Sequence, residues 1–527
     1  MTTGRKLFKM DTDIDDVEER DHLLTDDNID NSDEPVSYEA ALKTIGYGKF
    51  HIILLALCGW AVSSDAIEVL SVSFMLPSAQ CDLKLSSEDK GWLNAIIFVG
   101  MMVGGYFWGS MADKFGRRSV LMGSLTVNGL GGLVSSTSQV FWLFLIMRFI
   151  SGVGVGGSIP VIFSYFTEFL PKQRRGTMIS ALATFWMMGN IIAAGLAWAV
   201  IPHPELGFFS EKFTYNSWRI FVAICTIPSL TSAAMFAFMP ESPKFFLTMG
   251  KERKALDSLR TVYRVNGRSG PLQISRLILT KDKDGIVQLE DSIEEKSTFR
   301  EGARHLLHQT QELFGRTLLR TTVIMIVINF TLSFGYYGLW MWFPEIFSRV
   351  EKYGGSPCSH PTINTTSSND TTTCNGIPND WVFFEGFMTA LSNLPGNILT
   401  ILIMDKVGRK PLLATSMVLA GVTVFFLPIV HSKVQNLLIS CAFGAVTTVG
   451  WNAIDVLQAE LFPTAVRSTA FGLQSGVGRI AAILGNVSFG SLVDVHCAVP
   501  MIMVSVLLTI GGLTAIKLPN TTGKDIH

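Results

Sequence analysis

The chain has 527 residues, of which 16% are charged and 48% hydrophobic, with a mean hydropathy of +0.37 and a formal net charge of −1. Soluble proteins carry about 25% charged residues, so this balance excludes a soluble globular protein, and the near-neutral total gives no support to nucleic-acid binding. The length exceeds that of one ordinary domain and predicts at least two units.

Residues 1–49 form a polar, acidic tail with no apolar run of the signal-peptide kind. The first apolar span is therefore expected to insert as a helix and leave the tail cytoplasmic. Within the tail, Glu19-Arg-Asp-His-Leu23-Leu24 resembles the acidic dileucine signal read by clathrin adaptors, so an adaptor is an expected partner through Leu23 and Leu24.

Twelve apolar stretches follow, at 50–76, 91–112, 119–138, 140–166, 176–200, 218–239, 320–345, 381–404, 411–430, 434–461, 468–492 and 497–518. Each is long enough to cross a ~30 Å hydrocarbon core as a helix. Backbone groups in lipid must bond within their own segment, and these lengths do not suit barrel strands, so all twelve are predicted to be helical. The short segments assigned inside hold 18 Lys and Arg, and those outside hold seven. This places both termini in the cytoplasm. The expected organisation is a tail (1–49), a six-helix bundle (50–239), a cytoplasmic linker with short helices (240–319), a second bundle (320–518) and a short cytoplasmic tail (519–527).

Charges at membrane depth are costly and mark functional candidates. Asp65 and Glu68 share a face of span 1, being three residues apart. Arg148 in span 4 falls at nearly the same depth, by the 1.5 Å rise per residue, and is expected to pair with one of the two acids. The surplus carboxylate suggests proton coupling or a cationic solute, and a static pair between spans 1 and 4 is the plainer alternative. In span 10, Trp451 and Asp455 share a face, with Arg479 in the facing part of span 11. Trp186, Met187 and Met188 in span 5 and Trp342 in span 7 add aromatic and polarisable surface. A lipid or packing role is the alternative for each Trp. Gly152, Gly154, Gly156 and Gly157 lie inside the apolar span 4, where close helix packing explains them better than a phosphate loop. No metal-ligand spacing, nucleophile elbow or kinase signature occurs, so no enzyme, cofactor or metal is expected.

The outer loop at 346–380 carries N-glycosylation sequons at Asn364 and Asn369. Cys358 and Cys374 flank them, and a disulfide between these two is expected in an oxidising compartment, with two free thiols as the alternative.

An internal repeat is the strongest sequence signal. Asp113-Lys-Phe-Gly-Arg117-Arg118 after span 2 returns as Asp405-Lys-Val-Gly-Arg409-Lys after span 8, 292 residues later. Glu168-Phe-Leu-Pro-Lys-Gln-Arg-Arg175 after span 4 returns as Glu460-Leu-Phe-Pro-Thr-Ala-Val-Arg467 after span 10, at the same offset. Such duplication places a solute site near the membrane midplane between the halves. Ion pairs between Glu168 and Arg175, and between Glu460 and Arg467, are expected to latch the cytoplasmic face; positive-inside anchoring alone is the alternative.

Gly109-Ser-Met-Ala-Asp-Lys-Phe-Gly-Arg-Arg118 resembles the loop 2–3 signature of the major facilitator superfamily. The Arg148–Gly157 segment resembles its span 4 motif, and Pro240-Glu-Ser-Pro-Lys244 resembles the signature of its sugar and organic-ion branches. More narrowly, Asp65-Ala-Ile-Glu-Val, Ser333-Phe-Gly-Tyr-Tyr-Gly-Leu and Trp451-Asn-Ala-Ile-Asp-Val resemble the synaptic vesicle glycoprotein 2 family, and the likeness runs through nearly all twelve spans. The resemblance implies an all-α membrane protein with two pseudo-symmetric six-helix bundles. It also implies a vesicle membrane location and a central cavity lined by Trp186, Trp342, Trp451 and Asp455, where racetam-type drugs bind in that family. The family's large luminal domain between spans 7 and 8, which clostridial neurotoxins recognise, is replaced here by a short loop, so toxin binding does not carry over. The expectation is a monomeric alternating-access carrier of a small organic solute in the lipid bilayer. The competing reading is a trafficking or receptor protein that kept the fold.

Overall fold

Long apolar helices dominate the structure, a computed structural model that describes residues 36–210, 213–268, 272, 274–278, 307–353, 358, 379–463 and 466–519. Leu23, Leu24, Asn364, Asn369 and Cys374 lie outside the described residues, as does the side chain of Asp405.

The protein has the twelve-helix fold of two pseudo-symmetric six-helix bundles. Spans 1 to 5 are Lys49–Asp82, Ser87–Phe115, Arg117–Thr137, Phe141–Glu168 and Arg175–Val200. Span 6 is broken at Thr226 into Ser217–Cys225 and Ile227–Phe236, where Pro228 restarts the helix. In the second half span 7 is Leu319–Trp340, and a separate outer helix, Phe343–Tyr353, follows it. Span 8 is broken at Ser392 into Asp380–Leu391 and Asn393–Val407. Spans 9 to 12 are Arg409–Phe426, Lys433–Leu461, Arg467–Leu492 and Ala498–Ala515. Ten of these units are long and apolar enough to cross a membrane by length and composition. The two outside that set, spans 3 and 11, are rich in Gly, Ser and Asn because they are packed against other helices and, for span 11, against the cavity.

The face carrying the Asp113 and Asp405 loops is called inner below, following the charge assignment, and the opposite face outer. Spans 2 and 4 touch backbone to backbone. A Cβ at Gly104 would lie 2.0 Å from the Val153 carbonyl oxygen, and one at Gly156 would lie 2.2 Å from that of Met101. The glycines of span 4 therefore serve close approach.

Between spans 2 and 3, Gly116 takes φ 97°, and between spans 8 and 9 its repeat mate Gly408 takes φ 93°. Both tight reversals need a residue without Cβ. A Cβ at Gly116 would also meet the Glu241 carboxylate at 2.3 Å. Glu241 accepts from the Arg118 backbone N–H at 3.0 Å, an acid at the N-terminus of span 3.

The described part of the tail is ordered into a short strand and a helix. Val36–Ser37 pairs in parallel with Leu277–Ile278, and a helix, Tyr38–Ile45, follows. Ser37 caps its N-terminus and Gly46 (φ 67°) ends it. Tyr38, Ala41, Leu42 and Ile45 form its buried face. That face packs with the linker helix Glu252–Val265 on the inner end of the first bundle. The Tyr38 hydroxyl donates to the Glu168 carbonyl oxygen, and burial, with the Glu168 charge, pushes its phenol upward.

The expected Cys358–Cys374 disulfide is not formed. Cys358 bonds to Cys497 across 139 residues, with the Cα atoms 5.3 Å apart. The outer loop is thereby tied to the start of span 12, because the outer ends of spans 7 and 12 are neighbours in the second bundle. Cys81 is also disulfide-bonded. Cys58, Cys225 and Cys441 are free.

Candidate functional site

Two sites emerge from the residues singled out in the sequence, and they are separate. The first lies inside the first bundle. Arg148, fully buried, is ion-paired with Glu68, also buried, and donates to Ser71 Oγ at 3.0 Å. Ser151 Oγ donates to Glu68 at 2.6 Å. Asp65 pairs with no cation among the described residues. It accepts from Ser158 Oγ at 2.6 Å and from Asn128 Nδ2 at 3.2 Å. The expected pairing of Arg148 with one of the two acids thus resolves to Glu68. Spans 1, 3 and 4 supply every member, and the small side chains of Ser151 and Ser158 leave room for the charged ones.

The second is a cavity of about 380 Å³ between the halves, within the size range of small-molecule sites, roughly 300–1,000 Å³. From the first half come Phe98, Met101, Trp186, Met187 and Asn190, and from the second Tyr336, Tyr337, Trp451, Asp455 and Arg479. The i, i+4 spacing on the unbroken span 10 puts Trp451 and Asp455 on one face, as the sequence predicts. Tyr336 and Tyr337 set their ring edges against Trp451, with centroids 5.8 and 5.9 Å away. Asp455 is exposed to the cavity and has no hydrogen-bond or ion-pair partner among the described residues. Arg479 donates to Ser475 Oγ, and its Nε is buried without a partner. Gln474 also lines the cavity, buried, with both amide atoms unpartnered.

Trp342 does not line this cavity. It is fully buried in the break between span 7 and the outer helix, stacked on Phe489 of span 11 at 5.9 Å. Span 7 presents Tyr336 and Tyr337 instead. The sequence carried that signal in the polar stripe Asn329, Ser333, Tyr336 and Tyr337, at i, i+4, i+7 and i+8 of one helix, all of which line the cavity.

The motif charges of the inner face meet, though not in the expected pairs. Glu168 pairs with Arg117 at 3.4 Å, not with Arg175, and Glu460 pairs with Arg409 at 3.2 Å, not with Arg467. The Nε of Arg175 donates to the Leu170 carbonyl at 3.0 Å, and that of Arg467 to the Phe462 carbonyl at 3.2 Å. The 292-residue repeat therefore holds down to single atoms. Glu pairs with the Arg of the Gly-Arg turn because that turn lies beside the end of span 4 or span 10, while the Arg seven residues on caps its own loop. Arg175 further pairs with Glu39 of the tail helix at 2.7 Å, and Asp113 with Arg117 at 3.3 Å. Arg118 donates to the Phe236 and Ala237 carbonyls. Among the described residues, each inner-face ion pair of the repeated motifs stays within its own half.

On the outer face the halves are tied together, by residues that sequence reasoning passed over. Lys90 of span 2, 1% exposed, meets Glu345 of the outer helix at 2.7 Å and donates to Gln80 at 2.9 Å. Arg349 bonds Glu345 at 3.1 Å, Asp494 at 2.8 Å and Ser87 at 3.1 Å. Gly91 and Gly490 pass with so little room that a Cβ on Gly91 would lie 3.0 Å from the Gly490 Cα. Trp198 of span 5 sets its ring edge on Phe384 of span 8 at 5.3 Å. The signal available in sequence was a Lys and a Glu at the ends of apolar spans, where a lone buried charge would be untenable.

Comparison with known proteins agrees with this architecture. Residues 53–353 match the family profile described as sugar (and other) transporter, and residues 384–526 match the major facilitator superfamily. Mouse synaptic vesicle glycoprotein 2C is 32% identical over 612 aligned residues, covering 96% of this chain and 84% of that protein. Human synaptic vesicle glycoprotein 2A is 34% identical over 594, covering 93% and 80%. Among solved structures, the E. coli xylose transporter XylE in a partially occluded inward-open conformation superposes with a TM-score of 0.65 at 17% identity, covering 90% of this chain and 99% of that one. The proton:xylose symporter XylE bound to 6-bromo-6-deoxy-D-glucose gives 0.60 at 18% identity, covering 91% and 98%. At those identities the likeness to XylE concerns the fold alone. The match in sequence is of another order, for it covers 96% and 93% of the chain at 32% and 34% identity: this transporter-like membrane protein belongs to the synaptic vesicle glycoprotein 2 family of the major facilitator superfamily.

Proposed function

We propose that the protein is an alternating-access carrier of vesicle membranes, moving a small organic solute through the cavity between its halves, with Asp65 as its proton-binding group. The observation that carries this reading is the asymmetry of the ties between halves. Buried charges and touching glycines join them on the outer side, while the pairs Arg117–Glu168 and Arg409–Glu460 on the inner side each lie, among the described residues, within one half. A solute held at Trp186, Trp451 and Asp455 would then exchange with the cytoplasm in this state and with the lumen after the outer ties part. Asp65 suits proton binding because its partners are neutral donors, so that gaining a proton leaves no cation stranded. The four repeated motif segments, with Asp113, Arg117, Arg118, Glu168 and Arg175 in one half and Asp405, Arg409, Glu460 and Arg467 in the other, would brace each half as it rocks. The partners of such a carrier are the solute and the bilayer, and Leu23 and Leu24 would address it to vesicles through a clathrin adaptor.

One observation favours a second reading. The Asp65–Glu68–Arg148 cluster is sealed inside the first bundle and contributes nothing to the cavity wall. A trafficking or receptor protein that retained the fold would need that cluster only as a packing device. Solute flux into proteoliposomes, with and without a pH gradient, separates the two. The carrier reading expects gradient-stimulated flux that Asp65→Asn removes without loss of folded protein. Flux absent across a broad solute panel, with vesicle recruitment still dependent on Leu23 and Leu24, would leave the second reading standing.

A further inference from the structure

Resting on the reading of the cavity as the solute site, we propose that the solute is a zwitterion, with an apolar or aromatic body, that presents its cationic group to Asp455 and its anionic group to Arg479. The two charged side chains line one cavity, together with Tyr337. They nevertheless form no ion pair within 4.0 Å. The Arg148–Glu68 pair behaves differently, for there the two charges have closed on each other, with Ser71 and Ser151 bonded to them.

Opposite charges in a shared low-dielectric space attract strongly, and a pair held apart leaves two fixed poles for something else to bridge. The Arg479 pole is under-satisfied. Its Nε is buried without an acceptor, and its one hydrogen bond runs to Ser475, its neighbour one turn back. Gln474 adds a donor and an acceptor, both unpartnered, with the side chain only 1% exposed. The Asp455 pole has no donor at all, and beside it stand the Trp451 indole and the rings of Tyr336 and Tyr337. Such faces suit a cation's alkyl or aryl neighbourhood. A purely cationic solute would bring its charge into the field of Arg479 uncompensated. A neutral polyol would use the amides and hydroxyls and leave both charges unbridged. A zwitterion satisfies both poles and brings no net charge into the membrane.

The test uses the full-length protein purified in detergent and four probes sharing one body: L-phenylalanine, 2-phenylethylamine, 3-phenylpropanoate and 3-phenylpropanamide. Binding is read by ligand-induced thermal stabilisation across a concentration series. The zwitterion should bind at least ~10-fold more tightly than each of the other three, a difference of about 1.4 kcal/mol. Arg479→Gln should erase its advantage over the amine but not over the propanoate, and Asp455→Asn should do the reverse. A merely structural role for either residue would weaken all four probes alike, and that outcome overturns the proposal. Amine or amide binding as tight as the zwitterion, and lost in Trp451→Ala, overturns the zwitterion while leaving the cavity reading intact. Zwitterion binding that Trp451→Ala leaves unchanged places the site elsewhere and overturns both. Binding by none of the four overturns the zwitterion, and the flux experiment then decides the carrier reading separately.

Discussion

Arg148 sits in a bundle interior with no access to water, so its charge persists only because Glu68 faces it from span 1. Removing one partner of such a pair leaves an uncompensated buried charge, at about 3–5 kcal/mol, whereas replacing both is often near neutral. Glu68→Gln is therefore expected to lower the melting temperature sharply in detergent, and Glu68→Gln with Arg148→Met to recover most of the loss. Asp65→Asn keeps a side chain able to meet Ser158 and Asn128 and should cost about 1 kcal/mol or less. A Glu68→Gln protein melting like the wild type would show that the pair contributes nothing. The sequence made these three residues candidates by depth alone, since charge in an apolar span is rare. It left open which acid takes the Arg, because a one-turn difference along span 1 is smaller than the uncertainty of a span boundary. Trp342 failed for a related reason. Each residue turns a helix by 100°, so Asn329, Ser333, Tyr336 and Tyr337 at i, i+4, i+7 and i+8 mark the cavity face of span 7, and Trp342 lies beyond the end of that helix.

Helices and their connections are where the sequence was read least completely. The tail helix Tyr38–Ile45 announces itself by apolar residues at i, i+3, i+4 and i+7, a Ser before and a Gly after, yet the acidity of the surrounding tail hid it. The outer helix Phe343–Tyr353 is divided in the sequence between span 7 (320–345) and the outer loop (346–380), because apolar character runs across the break at its start and polar residues fill its end. It matters because it carries the tie between halves. In that tie, partial burial pushes the Asp494 carboxyl upward, but hydrogen bonds from Ser87 and Arg349 and the charges of Arg349 and Lys90 prevail and hold it below the usual range. A carboxylate whose pKa is lowered on folding stabilises the folded form fully above its unfolded value, about 3.9, and loses that contribution as pH falls through the lowered value. Hydrogen exchange in Phe343–Tyr353, measured as protection relative to the intrinsic amide rate at each pH, should thus be insensitive to pH between about 7.5 and 5 and should lose protection only below about 4. Asp494→Asn should raise exchange at neutral pH and flatten the acid response. Protection that falls already between about pH 7 and 5 would mean that another group governs the tie.

At the scale of the molecule, duplication was legible because two charged loop motifs recur at one offset, and the structure repeats them atom for atom in the Arg117–Glu168 and Arg409–Glu460 pairs. The disulfide was not legible, since Cys497 lies 139 residues from Cys358 and only the packing of spans 7 and 12 brings them together. The joint between the two halves is the property on which function turns, and it can be tested directly. Trp198 and Phe384 approach across it near the outer face. Cysteines at both positions, in a background with Cys58, Cys225 and Cys441 changed to Ala, can be bridged by a short bifunctional thiol reagent. A carrier that works by rocking its halves must separate this contact once per cycle, so bridging should abolish flux. On the carrier reading the bridge holds the outer side shut and leaves the cavity itself intact, so ligand-induced stabilisation should survive in the bridged protein. Each single-cysteine control treated with the same reagent should keep its flux. Flux that continues in the bridged protein would mean that solute crosses without parting the outer ties, and the two-bundle rocking scheme would have to be abandoned for this chain.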